Sequence, residues 1–83
     1  MEYTNYGSTI DSFDRLVNFG DKVIYVRADD WNYATKGIVR EIDAVGRVRL
    51  MVLESNMIHP VRLLPGEITQ WIERKNIIKV TKF

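Results

Sequence analysis

The chain has 83 residues, 46% of them apolar, and its twelve basic side chains are nearly balanced by eleven acidic ones. A chain this short forms one small domain that buries only about 60% of its unfolded surface, too little for a large enzyme. A net charge of +1 lacks the basic excess of dedicated nucleic-acid binders, and the absence of cysteine excludes disulfides and thiolate metal sites. No basic start leads into an apolar run, and no stretch approaches the roughly 18 apolar residues of a membrane span, so a soluble cytoplasmic protein without membrane contact is expected.

Residues Met1 to Gly7 are polar and aromatic without period and read as an arm. Ser8 is followed three residues later by Asp11, and Ile10, Phe13 and Leu16 or Val17 fall at helical spacing before Gly20, which predicts a short helix. Residues 1–19 are therefore expected to form an arm and helix packed on a β domain of residues 20–83. Lys22 to Arg27 is rich in branched and aromatic residues and reads as a strand with both faces apolar, so it needs two covers, the helix being the second. Ala28 to Lys36 has no period and reads as a surface loop carrying Trp31 and Tyr33.

Gly37 to Leu53 is the most strongly patterned stretch. A three-residue loop, Ala44-Val45-Gly46, with the glycine in the left-handed region, sets Asp43 against Arg47 and Glu41 against Arg49. The same register stacks Ile42 on Val48 and Ile38 on Val52 across the opposite face. Strict alternation would turn Arg40 inward opposite Leu50, and a bulge there that turns Arg40 out and Val39 in resolves the conflict. Further on, Leu64-Pro65-Gly66-Glu67 suits a type II turn between two short strands, Val61 to Leu64 and Glu67 to Ile72. A single tight turn at Glu73 to Asn76 then precedes a last strand, Ile77 to Lys82, and no internal repeat is evident.

These elements predict a mainly β protein of five to six short strands in a small closed or nearly closed barrel. The chain resembles the SH3-like barrels of the Tudor and KOW types. The residues that carry the resemblance are Gly20-Asp21-Lys22-Val23, Lys36-Gly37-Ile38-Val39, Gly46-Arg47-Val48-Arg49-Leu50 and Gln70-Trp71-Ile72-Glu73-Arg74-Lys75-Asn76-Ile77. The resemblance implies a non-catalytic binding module, used elsewhere for methylated side chains, for RNA or DNA, or for docking on large assemblies.

Trp31, Tyr33 and Arg40 are the candidate protein-binding residues, because aromatic and arginine side chains dominate binding hot spots. Tudor-type barrels also place part of an aromatic cage in the first loop, yet its other half here reads Leu53-Glu54-Ser55-Asn56 and has no ring. The alternative is nucleic-acid binding through Lys36, Arg40, Arg47, Arg49 and Lys75, weighed against the carboxylate partners that the hairpin register supplies. Trp71 is read as a core or lid residue. His59 has no neighbouring ligands, Asp29-Asp30 lacks the spacing of a calcium loop, and no nucleophile motif or glycine-rich phosphate loop is present, so neither a metal, a cofactor nor catalysis is expected.

Overall fold

The computed structural model describes residues 7–27, 30–57 and 62–81, and for 30–32 the backbone alone. The arm before Gly7, Asp29, His59 and Val61 lie outside the described residues. Six strands run in chain order, β1 (Ser8–Ile10), β2 (Leu16–Asn18), β3 (Lys22–Arg27), β4 (Asp30–Ile42), β5 (Val48–Ser55) and β6 (Ile77–Lys79), with a 3₁₀ turn at Arg74–Asn76. β1 and β2 form a two-stranded sheet, and the others form an antiparallel sheet in the order β5-β4-β3-β6. Neither sheet closes into a barrel, a correction to the expected closure. The segment after Gly66 follows β5 only through isolated bridges, Met51 to Ile68 and Val48 to Ile72, and among the described residues no strand pairing joins it to β6. Val17, Val23, Val39, Ile42, Val48, Leu50, Ile72 and Ile77 make the core, with Tyr25 packed against it.

The expected N-terminal helix is absent, and β1 and β2 stand in its place. The Asp11 carboxylate accepts the backbone N–H groups of Phe13 and Arg15, each at 2.9 Å, and Asp14 sits at φ 61. Both features divert the backbone from a helix into a tight reversal, as short polar side chains do when they bond their own neighbourhood. The Asp11 N–H then donates to the Arg15 carbonyl at 2.9 Å and closes the hairpin.

The same turn occurs a second time, a short repeat hidden in the sequence. Asp43 accepts the N–H groups of Val45 and Arg47 at 3.1 and 2.8 Å, Gly46 takes φ 89, and the Asp43 N–H reaches the Arg47 carbonyl at 3.0 Å. In both turns the arginine ending the loop folds back onto the aspartate that starts it, with Nε to Oδ2 distances of 3.0 Å for Arg15 and 2.7 Å for Arg47. Asp11-Ser12-Phe13-Asp14-Arg15 and Asp43-Ala44-Val45-Gly46-Arg47 are thus one device used twice.

The β4–β5 register holds where the hairpin turn dictates it, pairing Glu41 with Arg49 and Ile42 with Val48. The bulge falls at Arg40, leaving Val39 buried and Arg40 exposed. The extra residue moves the next three pairs, so Ile38 faces Met51 and Gly37 faces Val52, which corrects the expected Ile38 to Val52 pair. A second shift between Lys36 and Gly37 then restores the register at Lys36 and Glu54. Only glycine fits at position 37, since an added Cβ would stand 2.9 Å from Leu50 Cβ and 3.0 Å from the Met51 carbonyl. The expected loop from Ala28 to Lys36 is mostly strand, because β4 starts at Asp30 and pairs with β3 through Asp30 and again from Ala34 to Ile38, with a register shift across the stretch between them that carries the aromatics. Beyond β5, the turn before Glu67 forms as expected, with Gly66 at φ 89 and the Glu67 N–H on the Leu64 carbonyl at 3.1 Å. The segment that follows it pairs with β5 instead of forming a hairpin of its own.

Asp11 also joins the two sheets. Its side chain is fully buried, and Oδ2 accepts the Lys79 N–H of β6 at 2.8 Å. Ser12 N–H donates to the Ile77 carbonyl at 3.0 Å, and Arg15 Nη2 donates to the Lys79 carbonyl at 2.8 Å. Burial by itself would raise the Asp11 pKa, but the amides of Lys79, Arg15 and Phe13 and the Arg15 guanidinium outweigh it and hold the carboxyl below the ordinary aspartate value. Asp43 behaves alike: burial raises its pKa, and the Arg47 amide and guanidinium with the Val45 amide bring it down.

Two predictions follow from these turns. Gly46 and Gly20 both have φ +89, but a Cβ on Gly46 would lie 2.6 Å from Thr9 Oγ1 while one on Gly20 meets nothing within 4 Å. Gly46→Ala is expected to lower stability by more than the backbone cost of about 1–2 kcal/mol shown by Gly20→Ala, measured by urea unfolding. The second concerns pH. Folded-state pKa values below the unfolded ones mean that Asp11 and Asp43 stabilise fully above about pH 4, and that this stability is lost as pH falls through the depressed folded values. Asp11→Asn is expected to flatten the acid limb of a Tm-against-pH profile.

Candidate functional site

The segment from Gly66 to Ile72 carries the most suggestive surface, because its attachment to β5 sets Trp71 beside the hairpin arginines. Val48 and Ile72 exchange backbone hydrogen bonds at 2.8 and 3.0 Å, and Thr69 N–H donates to the Leu50 carbonyl at 2.9 Å. Thr69 Oγ1 in turn accepts the Leu50 N–H at 3.0 Å, a side chain taking a place in the ladder. With the backbones so held, the guanidinium carbons of Arg47 and Arg49 lie 5.8 and 5.7 Å from the Trp71 ring centroid, within cation–π range. Arg49 also donates through Nε to the Thr69 carbonyl at 2.9 Å and through Nη1 to Glu41 at 3.2 Å.

Beside this cluster lies an open groove of about 400 Å³ lined mainly by apolar side chains, among them Tyr25, Met57, Leu63, Ile68 and Trp71. Arg27 and Glu67 stand among its polar lining. Ile68 is 44% and Trp71 37% exposed, so part of the ring that the arginines steady faces solvent. Of the two expected places, core or lid, Trp71 is therefore not in the core.

The residues singled out from the sequence are spread over the molecule. Trp31 lies on β4, and its side chain is outside the described residues. Tyr33, on the same strand, is half-buried. Arg40 stands exposed at the bulge with Nη1 3.8 Å from the Met51 sulfur. Lys36 pairs with Glu54 at 3.5 Å, Arg47 with Asp43 at 2.7 Å and Arg49 with Glu41 at 3.2 Å. Lys75 is exposed on the 3₁₀ turn. The structure thus brings Arg47 and Arg49 together, but around a tryptophan that sequence reasoning did not join to them. The available signal was the type II turn at Pro65-Gly66, which sends the chain back along β5.

Among the described residues no cluster of His, Asp or Glu could hold a metal ion, and no helix is long and apolar enough to cross a membrane. No family of proteins, no curated protein and no solved structure matches the chain.

Arg49 holds this site together, and its fork is what matters. Arg49→Lys keeps the charge but cannot serve Glu41 and the Thr69 carbonyl at once, so a loss of about 1 kcal/mol is expected in urea unfolding. Arg40→Ala, at the exposed bulge, is expected to stay within about 0.5 kcal/mol of the parent.

Proposed function

We propose that the protein is a non-catalytic binding module that docks another protein through the groove between Tyr25, Met57, Ile68 and Trp71. The observation that carries this reading is the partly exposed Trp71 at the groove wall, with Ile68 beside it. An aromatic held in place by neighbouring arginines loses little freedom on binding, the property that makes Trp and Arg frequent anchors. The sheet order β5-β4-β3-β6, with the segment from Gly66 on the far side of β5 and a 3₁₀ turn before the last strand, supports the kinship to SH3-like barrels. It is a fold-level argument for binding over catalysis.

The charge arrangement favours a protein over a nucleic acid. Lys36, Arg47 and Arg49 each face a carboxylate, so the basic stripe of the hairpin is largely neutralised. Phosphate tracking through Arg40, Arg74 and Lys75 is the second reading, since they are exposed and Trp71 lies close in sequence to the last two.

The test is capture of partners from host extract with and without nuclease, followed by titration of the purified partner. Ile68→Asp and Trp71→Ala are expected to weaken binding at least tenfold, with Arg40→Ala nearly unchanged. If the folded groove variants bind as the parent does while Arg40→Ala does not, the binding surface lies at the β4 bulge instead. Loss of capture on nuclease treatment, or a steep salt slope, establishes the nucleic-acid reading.

A further inference from the structure

The outward edge of β6 is closed with unusual completeness for so short a strand. Pairing with β3 runs through Ile78 opposite Ile24, which leaves the polar backbone groups of Ile77 and Lys79 to the outside. The Ile77 N–H is taken by the Arg74 carbonyl and the Ile77 carbonyl by Ser12 N–H. The Lys79 N–H is taken by Asp11 and the Lys79 carbonyl by Arg15. Apart from the Arg74 bond, these caps come from the β1–β2 turn. They are also separate from what anchors the hairpin, because Val17 of β2 is fully buried in the core and Thr9 Oγ1 donates to the Gly46 carbonyl at 2.9 Å. The turn can therefore lose its hold on β6 while the strands behind it stay packed.

We propose that the Asp11–Arg15 turn guards a latent strand-pairing site, and that with the guard lifted β6 pairs edge to edge with β6 of a second copy of this chain. An exposed edge is a template for another strand, and covering it is how folded proteins stay apart. The second copy fits because β6 is self-complementary. An antiparallel partner centred on Ile78 brings Ile77 of one chain opposite Lys79 of the other, so the outward-facing positions meet and the two lysines do not oppose each other. The Ile77 N–H keeps its Arg74 bond, and each pair is joined through the Lys79 N–H and the Ile77 carbonyl. None of Asp11, Ser12 and Arg15 lines the groove at Trp71, so this inference stands independently of the docking role.

The experiment uses the full chain, with sedimentation over a range of concentrations. The parent is expected to remain at the mass of one chain. Asp11→Ala/Arg15→Ala is expected to move toward two chains as concentration rises, with faster hydrogen exchange at the Lys79 amide. Adding Lys79→Pro, which removes an outward N–H and leaves the β3 ladder intact, is expected to restore the single chain. The proposal is overturned if the folded double variant stays at one chain, if Lys79→Pro leaves the dimer in place, or if the parent dimerises equally. Should the double variant lose its fold, Asp11→Asn/Arg15→Ala, which keeps an oxygen for the turn amides and sets an amide donor against the Lys79 N–H, decides the matter by the same readout, a shift toward two chains supporting the guard and a constant single mass overturning it.

Discussion

A buried carboxylate with every oxygen occupied is the contact on which this architecture depends. Asp11 shapes its own turn through the amides of Phe13 and Arg15, pairs with the Arg15 guanidinium, and reaches across the chain to the amide of Lys79. Burying a charge is costly unless donors surround it, and here the donors belong to the two pieces that have to be joined. Among the described residues no buried side-chain nitrogen or oxygen is left without a hydrogen-bond partner. Without Asp11 the N-terminal hairpin would keep its apolar anchor at Val17 and the Ser12 and Arg15 bonds to β6, but its turn would lose the carboxylate that shapes it and the bond to the Lys79 amide.

The second copy of the turn shows what the same chemistry does near the surface. Asp43 organises the loop and Arg47 as Asp11 organises its own, but no strand edge is capped there. Instead the arginines leaving the turn, Arg47 and Arg49, are drawn onto Asp43, Glu41 and the Trp71 ring. A face that carries several arginines in the sequence therefore presents little free positive charge. What it presents is a fixed aromatic ring next to an apolar groove, and that contrast underlies the proposed preference for a protein partner.

How much could be read without coordinates differed between elements for physical reasons. The hairpin from Gly37 to Leu53 was legible because its turn satisfies charges on one face and branched residues on the other, and because an arginine at an inward position demanded a bulge. The bulge is legible at Arg40, but the pairing beyond it is not, and there Gly37 rather than Ile38 meets Val52. The N-terminal stretch is ambiguous in the sequence because Asp11 offers the same local bonds at the start of a helix as at the start of a tight turn. Asp14 at positive φ, with Ser12 and Arg15 on β6, settled the choice through contacts far away in sequence. The aromatic stretch after Ala28 reads as a loop because it has no alternation of its own, and its place in β4 comes from pairing with β3 on either side of a register shift, at Asp30 and from Ala34 on.

Composition, alternation and turn chemistry by themselves determined a small, mainly β protein, the central hairpin with its Asp43 turn, the bulge at Arg40 and the 3₁₀ turn before the last strand, since each depends on neighbours within a few residues. Tertiary structure alone decided that the chain begins with a hairpin, that the sheets stay open, and that Trp71 meets Arg47 and Arg49. Those outcomes depend on which strand edge accepts a distant segment, Asp11 to Arg15 on β6 and Gly66 to Ile72 on β5. Backbone pairing across a long loop has no local signature, because the donors and acceptors are the same at every residue.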